Sequence, residues 1–477
     1  MHAPIPSPTL WLCLHLPRLP LESLTAETDT AVAVVDRKGP RRWLIACSEA
    51  CAVHAIDAGQ DAILALSRYP ELKLLERSLK QERQALIGLA VWAEQFTSFA
   101  SFDPRRLCMW MEVGSVLRYF GGLDPLLDKV RHGIHTLGYT AVIGVAPTPE
   151  ASLLLAHAAM PPVTDLTKLG ENLRPIPLNL LPIHPDEIAS LSALGLQRLG
   201  EVLDLPSDAL ARRYGPEFIA YLSRLLGRLP DPLQPYRAPQ RYRRRFECFG
   251  QIESYEGLLF PLKRILIELE GFLRARDAAI QRLQLVFGHE RHDPTVLEVR
   301  STVPTRDAAR LFLLVRERIE RSVLAAPVEE ITVVARRLVP LGDTQLVLID
   351  GGIGNNSGWT VLLDRLRARL GDDAVHGLEL SQAHAPERAW CCVALDEKRE
   401  AEPAPDPRHA RPLWLLPPRE LDTLPQLLGK PERIETGWWD GQDIRRDYYK
   451  ARTEAGADWW LYREEPSGKW FLHGLWA

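Results

Sequence analysis

Three stretches of this chain carry side chains that could do chemistry. YRAPQRYRRRF (236–246) holds five arginines, Arg237, Arg241, Arg243, Arg244 and Arg245, with Tyr236 and Tyr242 between them. Guanidinium forks match phosphate oxygens and tyrosine rings stack or pack, so the run suits a nucleic-acid backbone; a solvated linker is the competing reading. LGLQRLG (194–200) sets Gly195 and Gly200 around a tight joint between two short helices. Backbone N–H groups at such a joint can face a phosphate, and the plainer reading makes both glycines helix caps. The opening LWLCLHLPRLPLESL (10–24) offers a thiol, Cys13, and an imidazole, His15, at the end of an apolar run stopped by Pro17 and Pro20. Those ligands suit soft metals, whereas Mg²⁺ prefers oxygen, so two of them without further donors make a poor site.

The rest of the composition narrows the field. The 477 residues are 46% hydrophobic and 25% charged, a folded composition long enough for two to four domains. A net charge of −4 excludes a uniformly basic coat but leaves room for a local basic stripe. The seven cysteines form no CxxC pair, and their odd number argues against a disulfide framework. Neither a bound metal nor a cofactor is expected. No run of about 18 apolar residues offers a membrane span, and MHAPIPSP lacks the basic and apolar order of a secretory leader. The expected place is the cytoplasm.

Periodicity says which elements must position these residues. From 9 to 172 strands such as TAVAVVD and YTAVIGVAP alternate with helices such as QDAILALSRYP and PEASLLLAHAA, an α+β arrangement with a covered sheet. From 173 to 235 leucines recur at helical spacing and no strand is expected. From 245 to 338 the order is helix, strand, strand, helix, strand, with QRLQLVF alternating as a strand and Thr305 or Asp307 as a helix cap. Residues 340–358 read as a flexible linker rich in glycine, and 359–477 as a less regular C-terminal region. Seven of the 13 tryptophans lie beyond residue 413, so the tail packs a small domain or docks a partner. WWLYREEPSGKWFLHG reads as a hairpin around Pro466–Gly468.

The order and spacing of LWLCLHLPRLPLESL, AVVD, FTSF, MEVGSVLRYFGGLDPLLDKVRHGIHTLGYTAVIGVAPTPEASLLLA, LSALGLQRLGEVLDLP, TRDAARLFLLVRERIER and the tail WWDGQDIRRDYYKAR…WWLYRE…GKWFLHGLWA resemble the Y-family translesion DNA polymerases. More closely, they are similar to the ImuB-type polymerase-like proteins of bacterial mutagenesis cassettes. The resemblance implies a multidomain α+β fold: palm and fingers over 9–172, a helical thumb over 173–235, a little finger over 245–338, a clamp-binding linker over 340–358 and a partner-binding region over 359–477.

It also implies where catalysis would sit. An active palm of that family holds two divalent ions on carboxylates of its first strand and of a later adjacent pair. Here those positions fall on Cys13, His15, Leu107 and Cys108. The residues expected to reach a triphosphate are Ser48, Cys51, Pro149 and Leu153, none of them basic or tyrosine. The expectation is a protein that is not an enzyme. It would be an adaptor in damage-induced (SOS) synthesis that joins primer-template DNA and the sliding clamp to an error-prone, replicative-type polymerase and a RecA-like accessory protein. An active polymerase with displaced ligands and a DNA-binding module without clamp contact are the alternatives. DNA contacts are expected at Gly195, Gly200, Arg241, Arg243, Arg244 and Arg245. The clamp peptide is expected at Gln345, Leu346, Leu348 and Ile349, with QRLQLVF as its competitor. A partner is expected at Trp470, Phe471, His473 and Trp476, against the alternative of a strand that completes the C-terminal domain.

Overall fold

The computed structural model describes all residues except 1–8, 26–29, 341–356, 372–373, 382, 394–410, 413, 438–442 and 477. The chain divides into two compact units, 1–369 and 370–477.

The opening strand Trp11–His15 forms because its apolar residues can be buried on both sides. It lies inside a four-stranded antiparallel sheet, between Cys108–Glu112 and Val142–Ala146, with Ala100–Asp103 beyond. Leu12, Cys13 and Leu14 are fully buried. A smaller sheet pairs Val32–Lys38 with Arg41–Cys47 and, in parallel, with Lys73–Glu76. Short helices from Leu166–Leu173 to Pro216–Leu225 follow, around a separate leucine-rich core.

The third region corrects the expected boundary. The arginine run is not a linker: Tyr242–Ile252 is an edge strand of a sheet ordered Thr295–Thr305, Ala278–Gly288, Val328–Ala335, Tyr242–Ile252. Leu283, Leu285 and Phe287, the apolar phase of QRLQLVF, are buried beneath the helices Tyr255–Ala275 and Ala308–Ile319. Asp307 caps the second helix by accepting from the N–H groups of Ala309 and Arg310.

A single hydrophobic core runs from the opening strand through the helix Leu79–Ala93 into this third sheet. The two regions meet without room to spare: a Cβ on Gly271 would come 2.8 Å from the backbone of Trp92. Arg264 fastens the joint from inside. Its guanidinium donates to the carbonyls of Glu22 at 2.5 Å, Leu137 at 2.7 Å and Gly138 at 2.8 Å, and lies 4.1 Å from the Tyr139 ring centre. Each of its three nitrogens donates once, which offsets the desolvation of the buried cation.

The helix Ser357–Leu370 departs from the expected start of the C-terminal region at 359. Its Asp364 accepts from the Thr302 N–H at 2.6 Å and the Ser301 hydroxyl at 3.2 Å, and pairs with Arg310. Those contacts attach it to the third sheet. In the unit 370–477 the main element is a five-stranded antiparallel sheet ordered Trp414–Glu420, Trp470–Leu475, Asp458–Glu464, Ile444–Arg452, Gln426–Thr436.

Candidate functional site

The four positions expected to carry catalytic carboxylates do come together. His15 lies opposite Cys108 and Cys13 opposite Trp110 in the strand register, and the Leu16 N–H donates to the Leu107 carbonyl at 2.8 Å. Leu107 turns the chain into its strand with φ +49°. Cys13 and Cys108 are sealed with Trp110 and Leu153 in an apolar cluster. Burial pushes the Cys13 thiol well above its ordinary pKa, and its hydrogen bond with Cys108 adds to the effect. A thiol held protonated like that of Cys13 is neither a nucleophile nor a metal ligand. His15 meets His157 edge-on at 4.4 Å; burial first, then that neighbour, lowers its pKa to about 4.

The guanidinium beside the sulfurs is already matched. Arg106 donates to both carboxylate oxygens of Glu150, at 2.7 and 2.6 Å, and lies over the Trp110 ring. Glu150 therefore faces a guanidinium. Among the described residues no group of three or more His, Cys, Asp or Glu is placed to hold a metal ion. A hard divalent ion does not fit these residues: the four key side chains offer no oxygen, and a fixed cation stands next to them.

The hairpin of Gly195 and Gly200 is closed to an outside anion. Gly195 is exposed at φ +85° and ends its helix, its N–H going to Ser192 O, while the Leu196 N–H goes to Leu191 O. The Leu199 and Gly200 N–H groups go to Ile176 O and Arg174 O. The N–H groups of Gln197 and Arg198 are taken by the Glu201 carboxylate. Gly200 is buried against Arg174, so its expected phosphate contact is replaced by a packing role.

The arginine strand splits by parity. Tyr242 and Arg244 point into the core, and Arg244 is an interior residue rather than a DNA contact. It pairs with Glu268 at 2.9 Å and donates twice to Gln84. Burial pushes the Glu268 carboxyl up, against the pull of that guanidinium. Arg241, Arg243 and Arg245 are exposed, and Arg245 is held by Glu330 at 2.5 Å. Arg243 lies opposite Val334, Val334 opposite Gln284, and Arg282 opposite Arg300. Arg282, Arg336 and Arg337 line one hollow on this open face. The side chains of Arg241, Arg243, Arg282, Arg336 and Arg337 make no hydrogen bond or ion pair with another described residue. Arg282 faces Arg300 across the sheet, and the Arg300 guanidinium is engaged by Glu298 at 3.3 Å. Sequence reasoning missed the last three of these arginines. The signal for Arg282 was the polar phase of its strand, which alternates with buried Leu283 and Leu285, whereas Arg336 and Arg337 lie just past the end of the strand Val328–Ala335.

The aromatic tail is the strand Trp470–Leu475, placed between Trp414–Glu420 and Asp458–Glu464. His473 is wholly buried, 2.9 Å from the Tyr448 hydroxyl and stacked on Trp460. Trp470, Phe471 and Trp476 are half-buried and pack with the sheet. This is the arrangement of a strand that completes its domain, and it removes His473 from any docking surface. Gln345, Leu346, Leu348 and Ile349 lie outside the described residues.

No family model matches the chain. Over 459 residues it is 28% identical to Protein ImuB of Caulobacter vibrioides, in the strains NA1000/CB15N and ATCC 19089, spanning 87% of this chain and 98% of the relative. The resemblance expected from the motifs is thus what the comparison finds, over most of the chain. Among solved structures, the crystal structure of DinB from Sulfolobus solfataricus is similar at 14% identity with a TM-score of 0.39. An insertion ternary complex of Dbh DNA polymerase is similar at 13% identity with a TM-score of 0.40. Each match covers 69% of this chain and 99% of the other. No helix among the described residues is long and apolar enough to cross a membrane.

Proposed function

We propose that this chain is a non-catalytic, polymerase-like adaptor of damage-induced translesion synthesis in the cytoplasm. In that role it brings primer-template DNA and the sliding clamp to an error-prone, replicative-type polymerase and a RecA-like accessory protein. One observation carries the reading. Where polymerases of the resembled family need carboxylates, this chain has two buried, hydrogen-bonded thiols beside an Arg106–Glu150 pair. Rebuilding metal chemistry there would require oxygen ligands and the removal of a fixed cation.

DNA contact is assigned to the open arginine face of the third sheet rather than to the closed hairpin. Its unpaired guanidinium groups suit backbone phosphates and carry no base identity. The clamp contact is assigned to Gln345, Leu346, Leu348 and Ile349, now without QRLQLVF as competitor, because the apolar side chains of that strand are buried.

The test is primer extension by the purified chain with Mg²⁺ or Mn²⁺, alongside clamp binding. No incorporation, together with clamp binding lost in Gln345→Ala/Leu348→Ala, is expected. Template-dependent synthesis abolished by chelation would refute the non-catalytic assignment. DNA binding without any clamp binding would leave a DNA-binding module instead.

A further inference from the structure

A groove of about 1210 Å³ opens within the unit 1–369, between the helix Leu123–Thr136 on one side and the helices Tyr255–Ala275 and Ala308–Ile319 on the other. We propose that it docks an acidic, amphipathic helix of a partner protein. This goes beyond the adaptor reading and does not depend on it.

The floor is apolar. Trp92 meets Phe96 at 5.0 Å, Phe96 meets Phe120 at 5.8 Å, and Phe120 meets Tyr119 at 4.9 Å, a chain of rings that leads outward. Tyr119 ends it at the lip, 85% exposed. The walls repeat at helical spacing. Lys129, His132, Gly133 and Thr136 face the groove from one helix, and Lys263, Ile267, Glu270 and Arg274 from the other. Two facing helices over an apolar floor form the kind of cleft that receives a third helix through its i, i+3/i+4 and i+7 side chains. A close fit keeps its shape, since Trp92 is buried against Gly271 of the long helix.

Charge chooses the occupant. All four carboxylates of the lining are engaged within the chain. Glu270 holds Arg274, Asp277 holds Arg306, Asp128 holds Arg131, and Asp307 caps its own helix. Lys129 and Lys263 are exposed and have no carboxylate partner among the described residues; Lys129 sits 5.2 Å from the Phe120 ring centre. The rim thus offers two lysines without a carboxylate partner, while three of its four carboxylates are held by guanidinium groups and Asp307 is held by its own helix N-terminus. A single-stranded nucleic acid fits less well, because base stacking needs open ring faces. Trp92 and Phe96 are buried and meet at 66°, Phe120 and Phe312 are half-buried, and Tyr119 alone of these rings is fully exposed.

The experiment selects from a displayed library of random 16-residue peptides on the full-length chain, with Lys129→Glu/Lys263→Glu as counter-bait. Both lysines are exposed, so the variant is expected to melt as the parent does. Enriched peptides should be acidic and carry Leu, Phe or Trp at i, i+3/i+4 and i+7. They should bind at least tenfold more weakly to the double variant and to Tyr119→Ala. Absence of enrichment, enrichment without an acidic bias, or equal binding to the double variant would overturn the proposal. So would displacement of the peptides by a 16-nucleotide single strand, or self-association of the chain that the double variant abolishes.

Discussion

The Glu201 carboxylate accepts the backbone N–H of Gln197 at 2.6 Å and that of Arg198 at 3.0 Å. The chain thereby supplies its own anion to the turn that a DNA phosphate would enter. These two hydrogen bonds, first from Gln197 and then from Arg198, hold the Glu201 carboxyl below its ordinary pKa. A depressed carboxyl contributes stability above the ordinary carboxylate range and loses it as pH falls through the lowered value. Glu201→Ala is expected to lower the Tm at neutral pH and to tighten duplex binding at low salt by opening the turn. The Tm of Glu201→Gln should lack that acid-side decline. Anisotropy titrations and melting curves across pH check both; unchanged DNA affinity in Glu201→Ala would show that phosphates do not reach the turn even when it is vacant.

The two sides of the arginine strand should respond oppositely. Arg243→Glu, Arg282→Glu and Arg336→Glu, combined, are expected to weaken binding to every duplex alike and leave the Tm near the parent value. Each single Arg→Ala on this face should reduce the salt slope of binding by about 1. Arg244→Ala strands the Glu268 carboxylate in the core and should cost about 3–5 kcal/mol of stability. A triple variant that binds DNA like the parent would move the DNA contact elsewhere.

His15 gives the fold an acid-sensitive point. Its pKa falls from about 6.5 to about 4, through burial and then through His157. Stability from a depressed imidazole is fully present above the unfolded value and drains away as pH falls from about 6.5 to about 4. His15→Gln should flatten the Tm over that window. Parallel melting curves of parent and variant would discount this role for His15.

Much of the frame was legible because it is local. The opening strand, the helix cap at Asp307, the alternation of QRLQLVF and the hairpin around Pro466–Gly468 follow from neighbours along the chain. Position 244 was not legible: a run of arginines hides the alternation of Tyr242 and Arg244 with exposed Arg243 and Arg245. The acid that makes Arg244 an interior residue, Glu268, lies on another element. The hairpin failed for a related reason. Gly195 and Gly200 were read as free for phosphate, but the Gly200 N–H goes to Arg174 and those of Gln197 and Leu199 go to Glu201 and Ile176. Likewise the helix Ser357–Leu370 is attached by Asp364 to residues about 60 positions earlier, a pairing that local pattern does not encode.

The tail yields the last prediction, and it reverses an expectation. A terminal aromatic strand dispensable for folding would leave the rest of the domain to melt unchanged when 468–477 is deleted. Trp470–Leu475 instead bonds to strands on both sides, with Phe471 opposite Tyr462 on one and Glu420 on the other. His473 is buried within the ring cluster of Tyr448, Trp460 and Tyr462, and Glu387 lies 3.6 Å from its other nitrogen. Deletion removes an interior strand, splits the sheet and exposes those rings. The expected outcome is loss of the cooperative transition of 370–477, with any partner binding lost as a consequence and therefore uninformative about docking. Surface substitutions separate the two roles. Trp414→Ala, at a residue 65% exposed on the adjacent edge strand, should leave the melting curve unchanged. His473→Ala leaves the Tyr448 hydroxyl without its 2.9 Å partner and a void beside Trp460, and should lower the Tm sharply. Near-ultraviolet circular dichroism, which reports the packed rings, checks each variant. A deletion chain that keeps its near-ultraviolet signal and its transition would show that the strand is an appendage after all.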